Sequence, residues 1–341
     1  MKRIVGAVLI AALGLATLTA CDPPYPPELV ETIYEQNPVC EAGVVPVKAL
    51  GRTEQLVSTF NDTMVGLCPD MSVELNNENP ELTITLDDPS GIDGVYAATP
   101  LFVDGGVAVT SFSSGVTLTL SLPVLFKILS GEITTWNDPQ IIKLNKKIDP
   151  IDLPIVVNPV ADRKALGALE NWAKLTKVSV PTTLLTSGED SPSIDLLSVE
   201  EGTISILPLS DVLNQGASPS SIKAGKVVAP TDTSVFAGAS QFKATNKGAI
   251  LKLVQDPTIE PELAKGAETA DTPYQAVFFG WQVLAGTDNL KTRAVGRFLL
   301  RMDEQGTLPG ASLIGLPTKL RQASTALVSK GLRLPKVTIK K

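Results

Sequence analysis

Segments with the character of strands alternate with segments of helical periodicity along most of the chain, and this alternation restricts the possible folds to the α/β class. The apolar, β-branched segment 43–50 predicts a strand, and the apolar residues of 54–64 then recur at helical spacing. Segment 71–75 predicts a second strand. The chain therefore begins its folded part with a β-α-β unit.

The same patterns predict further elements downstream. Additional strands are predicted at 82–86, 94–98, 106–112, 155–157, 203–207 and 226–230. Helices are predicted at 120–129, 140–144, 161–175, 250–254 and 291–303. The segment 276–284 is strongly apolar and aromatic, and the C-terminal segment 333–341 is basic.

The N-terminus has the features of an export signal. Lys2 and Arg3 precede an apolar run over 4–15, which is shorter than the roughly 20 residues that a membrane span needs. Leu18-Thr19-Ala20-Cys21 resembles the bacterial lipobox, whose cysteine carries diacylglycerol and becomes the new N-terminus after cleavage. The alternative is an ordinary signal peptide with a chance cysteine. We expect a protein anchored through Cys21 to the outer face of the cytoplasmic membrane.

The chain has three cysteines, and lipidation of Cys21 leaves Cys40 and Cys68. Outside the cytoplasm a remaining pair of cysteines predicts a disulfide, and two buried free thiols are the alternative. A bridge between Cys40 and Cys68 would stabilise the fold by about 3–4 kcal/mol in the loop-entropy model.

Composition excludes several classes of function. The chain carries 36 acidic and 29 basic residues, and no basic face suited to nucleic acid is evident. Its lack of histidine excludes Ser-His-Asp and Cys-His catalysis as well as histidine metal sites. Two cysteines alone fall short of the usual four zinc ligands. We therefore expect no enzyme, no metal and no cofactor.

One segment in the middle of the chain is distinctive. Ser130–Pro139, with the sequence SGEITTWNDP, resembles the SG-x-I-T-x-W-N-D-P signature of the phosphate-binding proteins of ABC importers. Within it, Asp138 before Pro139 predicts a helix start, and Trp136 is expected to be packing. Segments 105–109 and 202–206 also resemble strands of that family. The resemblance covers roughly residues 45–326.

This resemblance implies a two-lobed periplasmic-binding-protein type II fold, in which each lobe is a mixed sheet flanked by helices. The ligand would be a small anion such as phosphate, held in the cleft by backbone N–H groups at helix N-termini. An ABC permease would be the protein partner. The expected units are a signal peptide at 1–20, a Pro-rich linker at 21–42, lobe one at 43–105 plus 273–326, lobe two at 106–272 and a tail at 327–341.

The chain departs from the family pattern where phosphate would be bound. Gly51-Arg52-Thr53 keeps part of the first phosphate loop. Ala97-Ala98 stands in place of a Ser-Asp pair, and 158–164 lacks the hydroxyls and the glycine of the family's second loop. Each buried oxygen of an anion that finds no donor costs on the order of 1–3 kcal/mol, so an altered pocket is expected.

Seven residues are candidates for ligand binding, and most also have a simpler structural role. The candidates are Arg52, Thr53, Thr99, Ser111, Asn158, Asp162 and Arg163. Thr53 is equally suited to cap a helix, Arg52 to lie on the surface, and Ser111 to belong to a loop. Asp162 and Arg163 are typical of the first turn of a solvated helix.

Two functions remain open from the sequence. The first is an extracytoplasmic solute-binding lipoprotein of an ABC importer, with phosphate or an unknown ligand. The second is a non-transporting binding-protein fold that acts in the cell envelope as a sensor or interaction module.

Overall fold

The computed structural model describes residues 37–246, 248–264, 267–301, 305, 308 and 312–334. The predicted signal peptide, Cys21, most of the linker and residues 335–341 of the basic tail lie outside the described residues. None of the helices in the described part combines the length and the apolarity that a bilayer crossing requires.

The described residues form fourteen strands and eight α-helices, with short 3₁₀ turns at Gly51–Thr53 and Pro89–Gly91. The strands are β1 (Gly43–Lys48), β2 (Met71–Leu75), β3 (Leu82–Thr85), β4 (Val95–Thr110), β5 (Thr119–Ser121), β6 (Val156–Val157), β7 (Val160–Asp162), β8 (Ser187–Glu189), β9 (Thr203–Pro208), β10 (Ser221–Ala224), β11 (Lys226–Val228), β12 (Phe242–Asn246), β13 (Leu251–Gln255) and β14 (Val277–Ala285). The helices are α1 (Glu54–Leu67), α2 (Leu122–Leu129), α3 (Pro139–Leu144), α4 (Arg163–Leu175), α5 (Leu209–Asn214), α6 (Asp232–Ala239), α7 (Leu290–Leu299) and α8 (Thr318–Val328).

The main sheet has seven strands in the order β2-β1-β3-β14-β4-β9-β6. Strand β1 runs parallel to β2 and β3, whereas β14 is antiparallel to both β3 and β4. Smaller sheets are formed by β11-β10-β5, β12-β13 and β7-β8. Mixed sheets flanked by helices confirm the predicted α/β class.

Strand β4 connects the two halves of the molecule. Its residues 95–105 pair with β14, and its residues 106–110 pair with β9. The sequence predicts two separate strands here, at 94–98 and 106–112, with Pro100 between them. Pro100 instead lies beside an irregularity in the pairing with β14, a position where a sheet tolerates proline. We call the part with β1, β2, β3 and β14 the first half and the part with β9 and β6 the second half.

The signature segment 130–139 packs into the core of the second half through Ile133 and Trp136. The Trp136 side chain is 1% exposed, and its Nε1 donates to the carbonyl oxygen of Gly202 at 2.9 Å. Its ring meets Phe112 edge-on at 5.2 Å between centroids. Asp138 accepts from the backbone N–H of Gln140 and so begins α3 as predicted. Trp136 therefore has the expected packing role.

Close packing of α4 against β4 joins the helical layer to the long strand. A Cβ atom on Gly106 would lie 2.2 Å from the carbonyl oxygen of Ala165, so only glycine fits. Tyr274 donates its hydroxyl to the carbonyl oxygen of Gly106 at 2.8 Å and packs edge-on against Trp172. This contact fixes the start of α4 relative to the sheet.

The predicted helix at 250–254 is wrong, because these residues form β13 of a hairpin with β12. Short apolar segments do not distinguish a helix from a strand by periodicity alone. The hairpin contacts α8, and Ala98 of β4 donates its N–H to the carbonyl oxygen of Ala249 at 2.7 Å. These contacts group 242–255 with the first half rather than with the lobe predicted for 106–272.

Cys40 and Cys68 form the predicted disulfide, with 5.4 Å between their Cα atoms. The bridge ties the segment before β1 to the end of α1, and Cys68 is buried. It therefore closes the β-α-β unit that begins the fold.

Candidate functional site

A cleft of about 430 Å³ lies between the two halves. Its first wall is formed at the carboxyl ends of β1 and β3, where α/β sheets commonly bind ligands. The second wall is the start of α4 and the loop after β8. The cleft is lined by Lys48, Leu50, Gly51, Thr53, Thr83, Ile84, Thr85, Leu86, Asp87, Ile92, Lys164, Asp190 and Ser191.

The 3₁₀ turn Gly51–Thr53 shapes the first wall. Gly51 has a φ of 57°, which favours glycine, and Arg52 follows it in the turn. The buried Thr53 hydroxyl donates to the carbonyl oxygen of Leu50 at 2.9 Å and accepts from its N–H at 3.1 Å. Thr53 makes no side-chain hydrogen bond to the first turn of α1. Its hydroxyl is thus used within the turn.

The start of α4 shapes the second wall. Asp162 is 1% exposed, and its carboxylate accepts from the backbone N–H groups of Lys164 and Ala165, each at 3.0 Å. Backbone N–H groups at a helix start, together with the helix dipole, are natural partners for an anion. At α4 the anion is the carboxylate of Asp162, which the chain supplies as the helix N-cap.

Two ion pairs lie at the cleft. Lys164 Nζ is 2.9 Å from Asp87 Oδ1, a contact that joins the second wall to the first. Arg163 Nε is 2.9 Å from Asp190 Oδ1, and both of these side chains are more than half exposed. Exposed pairs contribute only about 0–1 kcal/mol to stability. Each pair joins one positive and one negative side chain, so neither pair adds net charge to the cleft.

Asp88 lies at the rim, next to Asp87. Its carboxylate caps the 3₁₀ turn Pro89–Gly91 by accepting from the backbone N–H of Ser90 at 2.8 Å. This backbone hydrogen bond lowers the pKa of Asp88 below its usual value. The turn that follows β3 is therefore held by an ionised carboxylate.

The other predicted residues lie outside the cleft lining. Thr99 is fully buried in β4, where its hydroxyl accepts from Gln282 Nε2 at 3.1 Å. Ser111 follows β4 and exchanges backbone hydrogen bonds with residues 202 and 203. Asn158 donates to Ser205 Oγ and accepts from the N–H of Val160. Of the predicted residues whose side chains are described, Thr53 alone is part of the cleft lining. Arg52 is adjacent to it in sequence, and Asp162 and Arg163 directly precede Lys164, which lines the second wall.

Sequence reasoning did not single out several lining residues. Lys48 lies at the end of β1, Asp87 follows β3, and Asp190 follows β8. The sequence could have indicated these residues only by their positions, because each lies at the end of a strand or shortly after it. Among the described residues, no group of three or more cysteine, aspartate and glutamate side chains is arranged to hold a metal ion.

The chain is similar to known phosphate-binding proteins in one short stretch of sequence. Over 73 residues it is 42% identical to phosphate-binding protein PstS2 of Mycobacterium bovis and to its counterpart in Mycobacterium tuberculosis. The match covers 21% of this chain and 19% of each relative, so it spans about a fifth of their length. No family model matches the chain.

The fold is similar to solved structures over most of the chain. One is a phosphate ABC transporter substrate-binding protein with bound phosphate from Clostridium perfringens, at 16% identity and a TM-score of 0.51. That match covers 81% of this chain and all of the other. A high-affinity periplasmic phosphate-binding protein and an ancestral soluble variant of the human phosphate-binding protein each match with a TM-score of 0.51. Those two matches are 12% and 13% identical, and each covers 83% of this chain and 93% of the other. The chain has the α/β fold of these phosphate-binding proteins.

Proposed function

We propose that this protein is an extracytoplasmic solute-binding lipoprotein of the ABC-importer type whose cleft no longer holds phosphate in the family's manner. The fold supports the solute-binding part of this proposal. The export signal and Cys21 support the anchor at the outer face of the cytoplasmic membrane. A permease in that membrane would be its partner, and the acidic composition argues against nucleic acid.

The observation that carries the altered pocket is the capping of α4 by Asp162. Its carboxylate takes the two N–H groups that would otherwise be offered to a bound anion. A phosphate placed beside this buried carboxylate would meet a negative charge instead of two donors. The repulsion and the missing hydrogen bonds both weaken phosphate binding.

The alanines that replace a Ser-Asp pair support the same conclusion. Ala97 and Ala98 are fully buried in β4 and carry no side-chain donor or acceptor. Thr99, the next polar residue, is hydrogen-bonded to Gln282. A phosphate with unpaired buried oxygens would lose on the order of 1–3 kcal/mol for each one.

A second function is favoured by the contact between Lys164 and Asp87. This ion pair links the two walls of the cleft through side chains of the protein itself. It can therefore hold the two walls together when no solute is bound. A protein of this kind would serve in the envelope as a sensor or interaction module.

Calorimetric titration of the full chain with phosphate and a panel of small anions tests the proposal. We expect no phosphate binding in the micromolar range. Micromolar or tighter binding would overturn the altered pocket. Binding of another small anion supports the solute-binding function, whereas no binding across the panel supports the envelope module.

The anchor is tested separately. Fatty-acid labelling should mark the wild-type protein, and the Cys21→Ser variant should lose the label and leave the membrane fraction. Retention of the label in Cys21→Ser would rule out lipidation at this cysteine.

A further inference from the structure

One cation of the cleft has no carboxylate partner among the residues that the structure describes. Lys164 pairs with Asp87, and Arg163 pairs with Asp190. Lys48, half-buried at the end of β1, forms no ion pair with any residue that the structure describes. Lys48 therefore offers the cleft an ammonium group that is not in an ion pair, and this group suits one negative charge on a ligand.

Hydroxyl groups lie on the same wall as this ammonium group. Lys48 is the register partner of Thr83 in the pairing of β1 with β3, and Thr85 follows two residues later. The Thr85 hydroxyl oxygen accepts from the N–H of Asp87 at 3.0 Å, so its proton is left to donate. One ammonium group and two hydroxyls match the two oxygens of a carboxylate.

Apolar side chains make up much of the remaining lining. Leu50 is 62% exposed at the mouth, Leu86 and Ile92 are half-buried, and Ile84 lies beneath them. A large apolar side chain exposed at a cleft favours contact with an apolar group. The cleft volume of about 430 Å³ lies within the usual range for small-molecule sites.

From this juxtaposition we infer that the cleft binds a small aliphatic carboxylate, with its head group on Lys48 and its chain against Leu50, Leu86 and Ile92. This inference rests on the proposed function, because it assumes that the cleft is the solute site. Such a ligand differs from phosphate in charge and in apolar surface, the two properties that the lining residues select. The ligand carries a single charge, and part of its surface is apolar.

Titration of the full chain with straight-chain carboxylates from acetate to hexanoate tests this inference, with a detergent-only blank subtracted. Each added methylene should tighten binding about fourfold, because each buries further apolar surface. Affinity that does not change with chain length would overturn the inference. Failure of every carboxylate to bind would also overturn the inference. That result would not affect the proposal that the cleft does not bind phosphate. Micromolar phosphate binding would instead overturn the proposed function itself.

Substitutions assign the two parts of the ligand. Lys48→Met should weaken binding of hexanoate about tenfold to a hundredfold, whereas Lys48→Arg should retain most of it. Lys226→Met, an exposed lysine outside the cleft, is the matched control and should bind as wild type does. An unchanged affinity in Lys48→Met would contradict the assignment of the head group.

The apolar part is tested at the mouth of the cleft. Leu50→Ser should weaken hexanoate about tenfold and leave acetate unchanged, because only the longer chain reaches this side chain. Leu197→Ser removes an even more exposed leucine outside the cleft and is the matched control. Equal losses for acetate and hexanoate in Leu50→Ser would show that the leucine does not contact the chain.

Discussion

The signature segment 130–139 and the cleft differ in how they relate to the family pattern. The segment keeps the family's sequence, and its Trp136 is buried in the core of the second half. The loops around the cleft are predicted from the sequence to depart from that pattern. Polar groups at both walls, as in Asp162 and Thr53, are hydrogen-bonded within the protein. The fold and the ligand site thus depend on different residues, so one can change while the other is kept.

The largest effect is expected in the signature segment. Trp136→Ala should lower the free energy of unfolding by about 3–5 kcal/mol, because it opens a cavity and leaves the carbonyl of Gly202 without its indole donor. Urea unfolding followed by circular dichroism measures the loss. Leu197→Ala, at an 88% exposed side chain, should change stability by less than about 0.5 kcal/mol. Similar losses in both variants would contradict a packing role for Trp136.

Substitution of Asp162 should have a smaller effect on stability than substitution of Trp136, and it should also change anion binding. Asp162→Ala should cost about 0.5–2 kcal/mol because the first turn of α4 loses its cap. Asp138→Ala removes the equivalent cap from α3 outside the cleft and is the matched control. Only Asp162→Ala should gain weak phosphate binding in calorimetry, since it exposes two N–H donors. A gain in both variants, or in neither, would contradict the role assigned to the carboxylate.

Loss of the ion pair across the cleft should have little effect on stability. Lys164→Met should change the free energy of unfolding by about 0–1 kcal/mol, because Asp87 is largely exposed and both groups can be solvated. The variant should instead open the cleft, which small-angle X-ray scattering would detect as a larger radius of gyration. An unchanged radius of gyration together with a large decrease in the free energy of unfolding would contradict the claim that the Lys164–Asp87 pair mainly links the two walls.

The smallest effect concerns pH at the rim of the cleft. The pKa of Asp88 is lowered in the folded protein by the N–H of Ser90, so its contribution to stability is present above its usual pKa of about 3.9. This contribution is lost as the pH falls through the lower, folded value. Asp88→Ala should therefore lower the urea midpoint slightly at pH 7 and not at pH 2. A difference in urea midpoint between wild type and Asp88→Ala that grows toward low pH would contradict the lowered pKa of Asp88.

Much of the fold could be predicted from the sequence because its signals are local. Helix α3 follows from Asp138 and Pro139, and the disulfide follows from a predicted export signal in a chain with two further cysteines. The continuity of β4 through Pro100 could not be predicted, since it depends on pairing with β14, far along the chain. The hairpin strand β13 was mistaken for a helix because a short apolar segment does not distinguish the two by periodicity alone.

The site was less predictable than the fold. Asp162 was correctly placed at the start of a helix, but its burial depends on the packing of α4 against the long strand. Lys48 and Asp87 reach the cleft because the ends of β1 and β3 lie side by side, which the sequence does not state. Thr99 is hydrogen-bonded to Gln282 and Asn158 to Ser205, residues far along the chain that local sequence patterns do not predict as partners.

The proposal that the cleft no longer binds phosphate is tested most directly by thermal unfolding of the wild-type chain at increasing phosphate concentration. A ligand at one hundred times its Kd stabilises a protein by about 2.7 kcal/mol, which raises Tm by several degrees. We expect Tm to stay constant, after correction for ionic strength, up to millimolar phosphate. A saturable rise in Tm at micromolar phosphate would contradict the account.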